Sequence, residues 1–153
     1  MSILYRQATP KDIAELTRLR WEFSPEEYQQ AQSFPDFYRE FGVFLEFAFS
    51  SSNWIIWVAE SEEKLISTAF LQKIRRTPRP SKMIRYWGNI TNVYTMPEYR
   101  GKGIGTALMK GIMEAAKNDG IESLILWPAE GVTEFYERLG FSSDREVMEI
   151  KLK

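Results

Sequence analysis

The sequence predicts a single α+β domain, and three observations carry that prediction. Runs rich in aromatic and β-branched residues at 54–60, 65–74 and 84–95 read as strands. Segments of helical period stand on both sides of them, at 10–49 and 101–118. The chain has 153 residues without a repeat, a low-complexity tract or a linker, which suits one compact unit. Hydrophobic residues make up 44% and charged residues 27%, so a core can be buried without a disulfide or metal staple.

In chain order, Ser2–Ala8 reads as a short strand, with Ile3, Tyr5 and Gln7 opposite Leu4 and Arg6. Thr9-Pro10 then opens a helix, with threonine suited to the N-cap, proline to the first turn and Asp12 to the helix dipole. Ile13, Leu16, Leu19 and Phe23 follow at helical spacing. Ser24-Pro25-Glu26-Glu27 repeats the start signal for a second helical region, which is expected to break near Phe34-Pro35 and to end about Phe49. Trp54–Glu60 and Leu65–Ile74 form a hairpin around Ser61-Glu62-Glu63-Lys64, and a basic loop, Arg75–Lys82, precedes the strand Ile84–Thr95. Gly101–Asn118 is helical, Ile121–Trp127 is an apolar strand of the kind buried on both faces, and Gly131–Leu139 is a short helix ended by Gly140. Val147–Leu152 alternates as a last strand.

The chain has no cysteine and no histidine. That excludes Ser-His-Asp and Cys-His nucleophile systems and any imidazole base, and it makes a zinc site unfavourable; no metal is expected. Chemistry must come from tyrosine, carboxylates, lysine, water or backbone amides. The amino terminus lacks the pattern of a secretory signal, and no stretch approaches the ~18 apolar residues of a membrane span, so the expected compartment is the cytoplasm. The net charge is -1, which names no partner, but the charges are unevenly spread. Residues 12–63 hold eleven acids against three arginines, whereas 64–97 hold seven basic side chains and no acid, a division that could set opposite charges on two sides of a cleft. The basic cluster is short and has no stacking platform, so nucleic acid is not an expected partner.

The segment that carries chemistry is Asn92–Met109, where a strand feeds a glycine-rich turn that enters a helix without a spacer. The first amides of a helix have no internal acceptor, and the dipole adds about half a positive charge there. Glycines at 101, 103 and 105 allow phosphate oxygens close to those amides, so the turn reads as a cradle for a diphosphate. The alternative, a tight turn and nothing more, fits less well with three alternating glycines beside Arg100 and Lys102. The Walker ending is absent. The dinucleotide pattern fails too, because Thr106 stands where its third glycine or alanine belongs and no acid follows at the ribose distance.

Arg100-Gly101-Lys102-Gly103-Ile104-Gly105 resembles the Arg/Gln-x-x-Gly-x-Gly/Ala acyl-CoA turn of the GNAT superfamily of N-acyltransferases. Asn92–Tyr99 resembles the strand before that turn, and Phe135-Tyr136-Glu137-Arg138-Leu139-Gly140-Phe141 resembles the family's second motif. The resemblance implies a central mixed, mostly antiparallel sheet flanked by helices, with one parallel strand pair splayed apart. It implies acetyl-CoA as co-substrate, with the pantetheine arm against the backbone of Val93, Tyr94 and Thr95. The diphosphate would then lie on the turn Arg100, Gly101, Lys102, Gly103, Ile104, Gly105 and Thr106. Tyr136 matches the tyrosine that meets the leaving thiolate in related enzymes.

Many relatives carry a glutamate on the strand before the turn; here that region is Gly88-Asn89-Ile90-Thr91, with no carboxylate. A base therefore has to be sought in water relayed by backbone groups, or in Glu130. The resemblance implies transfer of an acetyl group to a primary amine of a small acceptor. The alternative that the missing carboxylate raises is a non-catalytic acyl-CoA-binding or sensing domain. Aromatics of the first helices (Trp21, Phe23, Tyr28, Phe34, Phe37, Tyr38, Phe41) would wall the acceptor site where they do not belong to the core. Those left exposed would suit a homodimer.

Overall fold

The computed structural model describes residues 2–143 and 147–153. Strand β1 (Leu4–Gln7) leads through a 3-10 turn (Pro10–Asp12) into α1 (Ile13–Phe23), followed by α2 (Glu26–Ala31) and α3 (Phe34–Ser50). Then come β2 (Trp54–Ser61), β3 (Lys64–Arg75), β4 (Tyr86–Thr95), a second 3-10 turn (Pro97–Tyr99), α4 (Ile104–Asn118), β5 (Ser123–Ile125) and α5 (Thr133–Arg138).

Among the described residues the strands form one sheet in the order β1-β2-β3-β4-β5, antiparallel throughout except for the parallel pair β4–β5. This is the mixed, mostly antiparallel sheet that was expected. Helices α1 and α3 cover one face: Phe41 of α3 stacks on Phe70 of β3 at 6.3 Å, and Phe23 of α1 lies 4.8 Å from the Tyr94 ring of β4. Helix α4 covers the other face so closely that a Cβ at Gly111 would come within 2.6 Å of the Trp57 ring. Leu16, Leu19, Leu45, Leu71, Leu108 and Ile112 are fully buried between these layers.

The register of the β4–β5 pair positions the site. The parallel ladder runs Trp87↔Ser123, Gly88↔Leu124, Asn89↔Ile125 and stops there, while β4 continues to Thr95 against β3 alone. Asn92, at φ 55, lies in the stretch of β4 where the β3 register shifts between Thr68 and Phe70. At the far end of α4, Gly120 at φ 78 and Ile121 close a Schellman motif, their amides reaching Lys117 O at 3.2 Å and Ala116 O at 3.1 Å. That turn aims the chain from α4 back along the sheet as β5.

Four expectations change in detail. The break in the second helical region falls at Gln32 and Ser33, before Pro35, because proline fits the first turn of a new helix and Ser33 Oγ accepts the Asp36 amide at 3.2 Å. The helix expected from Gly101 begins at Ile104, since Gly101 and Gly103 take positive φ values of 74 and 79, outside the helical region. The strand expected over Ile121–Trp127 is confined to three residues, and Trp127 is 59% exposed rather than buried on both faces. Among the described residues Val147–Leu152 is not a strand of this sheet, and β5 is its edge.

Candidate active site

Beyond Asn89 the open side of β4 meets the amino terminus of α4. Gly103 is the N-cap residue and no side chain caps the helix, so the amides of its first turn depend on some other acceptor. Around Gly101 and Gly103 an added Cβ would meet nothing within 4 Å, so this surface is open and its glycines are required by backbone conformation, not by crowding. Ile104 turns its side chain into the core at 3% exposure and offers the surface only its amide, with Gly105 and Thr106 following in the same turn. Lys102 lies over the Tyr99 ring, its Nζ 5.7 Å from the centroid.

Arg100 ends the second 3-10 turn. Its Nε donates to Thr95 O at 2.8 Å and its guanidinium lies 5.5 Å from the Tyr94 ring centroid, so it ties the turn to the end of β4. Ser67 Oγ donates to Tyr94 O at 2.8 Å and lies 2.8 Å from Thr95 Oγ1. Two strand-end carbonyls thus have one side-chain donor each. Val93 is partly buried against the core. The Tyr94 ring points towards α1, where burial raises its hydroxyl pKa above the ordinary 10.0 despite the charge of Arg100.

Helix α5 joins this surface through Phe135, whose Cζ would lie 3.5 Å from a Cβ on Gly105. The next residue is Tyr136. A Schellman motif fixes its turn: the Gly140 amide reaches Glu137 O at 2.9 Å, the Phe141 amide reaches Tyr136 O at 3.1 Å, and Gly140 takes φ 102. The Tyr136 ring sits edge-on to Phe135 and Phe141, at 5.0 and 5.8 Å between centroids. Burial raises the Tyr136 pKa above 10.0, so the phenol is held in its protonated form. Tyr136 also lines a cavity of about 1060 Å³ with Trp127, Thr133, Leu126 and Phe141.

Two acids are placed by the fold. Glu130 is exposed in the turn before α5 and makes no hydrogen bond or ion pair among the described residues. Glu22, which sequence reasoning did not single out, lies at the end of α1 beside Phe23; it pairs with Arg18 at 3.0 Å, and its charge acts on the Tyr94 hydroxyl. The basic loop converges elsewhere. Arg76, Lys82 and Arg85 approach Glu122 at 3.2, 3.2 and 3.3 Å, and Lys73 pairs with Asp119 at 3.0 Å, all at the paired end of β4. These basic residues therefore pair with two acids that lie outside the acidic segment 12–63.

Comparison with known proteins agrees with this geometry. Over 75 residues the chain is 35% identical to the glucosamine 6-phosphate N-acetyltransferase of Trypanosoma brucei brucei, a match covering 49% of this chain and 51% of that protein. Over 62 residues it is 42% identical to an uncharacterized N-acetyltransferase of Methanocaldococcus jannaschii, covering 39% of this chain and 27% of that protein. The chain thus spans about half or less of the length of these curated relatives. A solved structure described as a predicted acetyltransferase of Clostridium acetobutylicum, with acetyl-CoA, superposes with a TM-score of 0.80 at 25% identity, covering 99% of this chain and 97% of that one. The sequence profile of the acetyltransferase (GNAT) family matches residues 13–141, and the chain belongs to that family.

Proposed function

We propose that this chain transfers the acetyl group of acetyl-CoA to a primary amine of a small acceptor by direct attack in a ternary complex. The observation that carries this reading is a juxtaposition. The uncapped α4 terminus lies beside the unpaired end of β4, where Gly105 nears Thr95 Oγ1, and α5, which carries Tyr136, reaches it through the Phe135–Gly105 contact. The amides from Lys102 to Thr106 hold the diphosphate, and the backbone of Val93, Tyr94 and Thr95 holds the pantetheine arm in the gap left by β5. The amine nitrogen attacks the thioester carbon, the C–S bond breaks, and the CoA sulfur leaves with the bonding pair. Tyr136 donates a hydrogen bond or its proton to that sulfur. The attacking amine must be neutral, which for a lysine-like group costs roughly 4–5 kcal/mol at pH 7. Water held by backbone groups at the open strand end takes the amine proton. The amino sugar phosphate in the name of the Trypanosoma relative supports a small amine acceptor.

A second reading, a non-catalytic acyl-CoA sensor, is favoured by the absence of a carboxylate over Gly88–Thr91 of β4. Acetyl-CoA incubated with a broad panel of amines, with release of free thiol followed over time, separates the two. Thiol release that requires an amine supports the transferase. Tight acetyl-CoA binding without release from any acceptor supports the sensor.

A further inference from the structure

We propose, on the transferase reading above, that Arg20 holds an anionic group of the acceptor, so that the amine this chain acetylates also carries a carboxylate or a phosphate. Residues 12–63 hold eleven acids, three arginines and no lysine. Two of the arginines are matched: Arg18 lies 2.9 Å from Glu15 and 3.0 Å from Glu22, and Arg39 lies 2.9 Å from Asp36. Arg20 has no acid beside it among the described residues, and burial, unopposed by any carboxylate, lowers its pKa below the ordinary value. Its Nη1 donates to Ser24 Oγ at 3.2 Å, and its guanidinium lies 5.1 Å from the Phe23 ring centroid. A half-buried cation is costly to keep without an opposite charge, and this one stands unpaired in the most acidic part of the chain. A guanidinium carries five N–H donors in a planar fork that fits the paired oxygens of a carboxylate or phosphate.

The position of Arg20 on α1 sets it beside the open end of β4. Leu16, Leu19 and Phe23 turn towards the sheet; the two leucines are fully buried, and the Phe23 ring lies 4.8 Å from that of Tyr94. Trp21 turns towards α3, where it meets Phe34 at 5.2 Å and Phe37 at 5.5 Å. Arg20 follows Leu16 by four residues and precedes Phe23 by three, so it lies between these two stripes, on the flank of α1 that borders the cleft towards α3. The floor of the cleft is β3 and β4. Phe70 of β3 lies under Phe41 of α3 and pairs across the ladder with Thr91 of β4. Directly opposed strand residues share a face, so Thr91 also faces the α1–α3 layer, yet it is exposed. The helices therefore leave the sheet open over Thr91, past the point where β5 stops pairing with β4. Only the Phe23 ring stands between the guanidinium and the Tyr94 ring. An acceptor entering this opening brings its amine to the end of β4 while its anionic group reaches Arg20.

Matched amines that differ by one anionic group test this on the full chain: O-phosphoethanolamine against ethanolamine for the phosphate, and β-alanine against propylamine for the carboxylate. Thiol release at saturating acetyl-CoA gives kcat/KM for each. The expected result is that the anionic member of at least one pair is the better substrate. Arg20→Gln should lower kcat/KM for that member by about 10–100-fold, mainly through KM, the loss of a charge-assisted hydrogen bond. The neutral twin, acetyl-CoA affinity and melting temperature should stay near wild type, and Arg20→Lys should recover part of the loss. Neutral twins used as well as the anionic amines would overturn the proposal. So would an Arg20→Gln chain that slows both twins alike, which would make Arg20 a packing residue. A second readout is independent of turnover: with CoA saturating the α4 turn, the Arg20 Nε–Hε resonance should shift saturably with O-phosphoethanolamine or β-alanine and not with their twins. Thiol release from no amine would count against the transferase reading, and the resonance would then decide this one: a saturable shift upholds it, and an unmoved resonance overturns it.

Discussion

Between Trp87 and Asn89, β4 is hydrogen-bonded on both sides, to β3 and to β5; between Ile90 and Thr95 it has β3 alone. Glycine appears at both ends and does opposite work. At the paired end, a Cβ on Gly88 would lie 2.6 Å from Leu124 Cδ2 and 3.2 Å from Leu71 Cδ1, so glycine is there to let side chains close over the strand. Past the open end, Gly101 and Gly103 have free space around them and positive φ, so glycine is there to let the backbone turn and present its amides. The charges follow the same division. The cations of the basic loop crowd around Glu122 and Asp119 at the paired end, and the open end offers the dipoles of the uncapped α4 turn. One strand thus supplies a scaffold at one end and a ligand surface at the other, and the difference lies in where its parallel partner stops.

The largest effect expected at the open end is on turnover. Tyr136→Phe keeps the ring in its Phe135–Phe141 setting and removes one oxygen, so kcat falls by about 10²–10⁴ while acetyl-CoA affinity and melting temperature stay near wild type. Steady-state kinetics with a responsive amine and a thermal melt measure both. Wild-type turnover would reduce Tyr136 to a packing residue. Because burial raises this phenol above 10.0, loss of its proton should not limit the rate below pH 10, and an alkaline limb due to Tyr136 lies above that value.

Binding comes next. Gly103→Val puts a β-branched residue at φ 79, a conformation that costs about 1–3 kcal/mol, and places a side chain where the diphosphate would approach, so acetyl-CoA should bind about 10–100-fold more weakly by calorimetric titration. Lys102→Ala should change the same constant by less than about fivefold, as for an exposed charge. The reverse order of the two variants would make the ammonium, not the backbone, the anion site.

The paired end should respond in stability and not in chemistry. Gly88→Val drives a side chain into Leu124 and Leu71, at a cost of about 1–3 kcal/mol in denaturant unfolding. The surviving folded protein should keep its kcat and KM. Loss of turnover without loss of stability would mean that the two ends of β4 are not independent.

The smallest effect is electrostatic. Glu15 accepts from Arg18 at 2.9 Å and from the Leu65 amide at 3.2 Å, bracing α1 on the start of β3, whose Ser67 supports the open end. The hydrogen bond from Arg18, outweighing burial, lowers its pKa below the ordinary 4.5. A lowered native pKa contributes stability above pH 4.5 that disappears as pH falls through the native value. Glu15 is partly exposed, so the contribution is about 0.5 kcal/mol or less after screening. Glu15→Gln should be slightly less stable than wild type at pH 7, and the gap should close in acid.

How far the sequence could be read depended on whether a feature is local. The α4 turn is local: glycines, helix start and flanking strand lie within twenty residues, and their spacing states the backbone geometry outright. Tyr136 was named through the family resemblance, and the Gly140-Phe141 pair that fixes its turn is local as well. The splay of β4 from β5 was implied by family resemblance alone, since the apolar run 121–127 gives no sign that pairing stops at Ile125. The final strand failed for a related reason: Val147–Leu152 has strand period, but period cannot say which edge receives it. The Thr95 carbonyl that Arg100 holds through Nε could not be read from its motif position. Glu22 escaped because the search for a base followed β4, whereas the fold brings α1 to its open end.

The central claim is that acetyl-CoA binds at the open end of β4, on the α4 amides, and leaves the paired end alone. Backbone amide resonances followed during titration with acetyl-CoA test this directly. The account predicts the largest shifts at Lys102–Thr106 and at Val93–Thr95, with Tyr86–Asn89 and Ser123–Ile125 nearly still. Shifts confined to the basic loop and the paired end, or saturating binding that leaves the α4 amides unmoved, would contradict it.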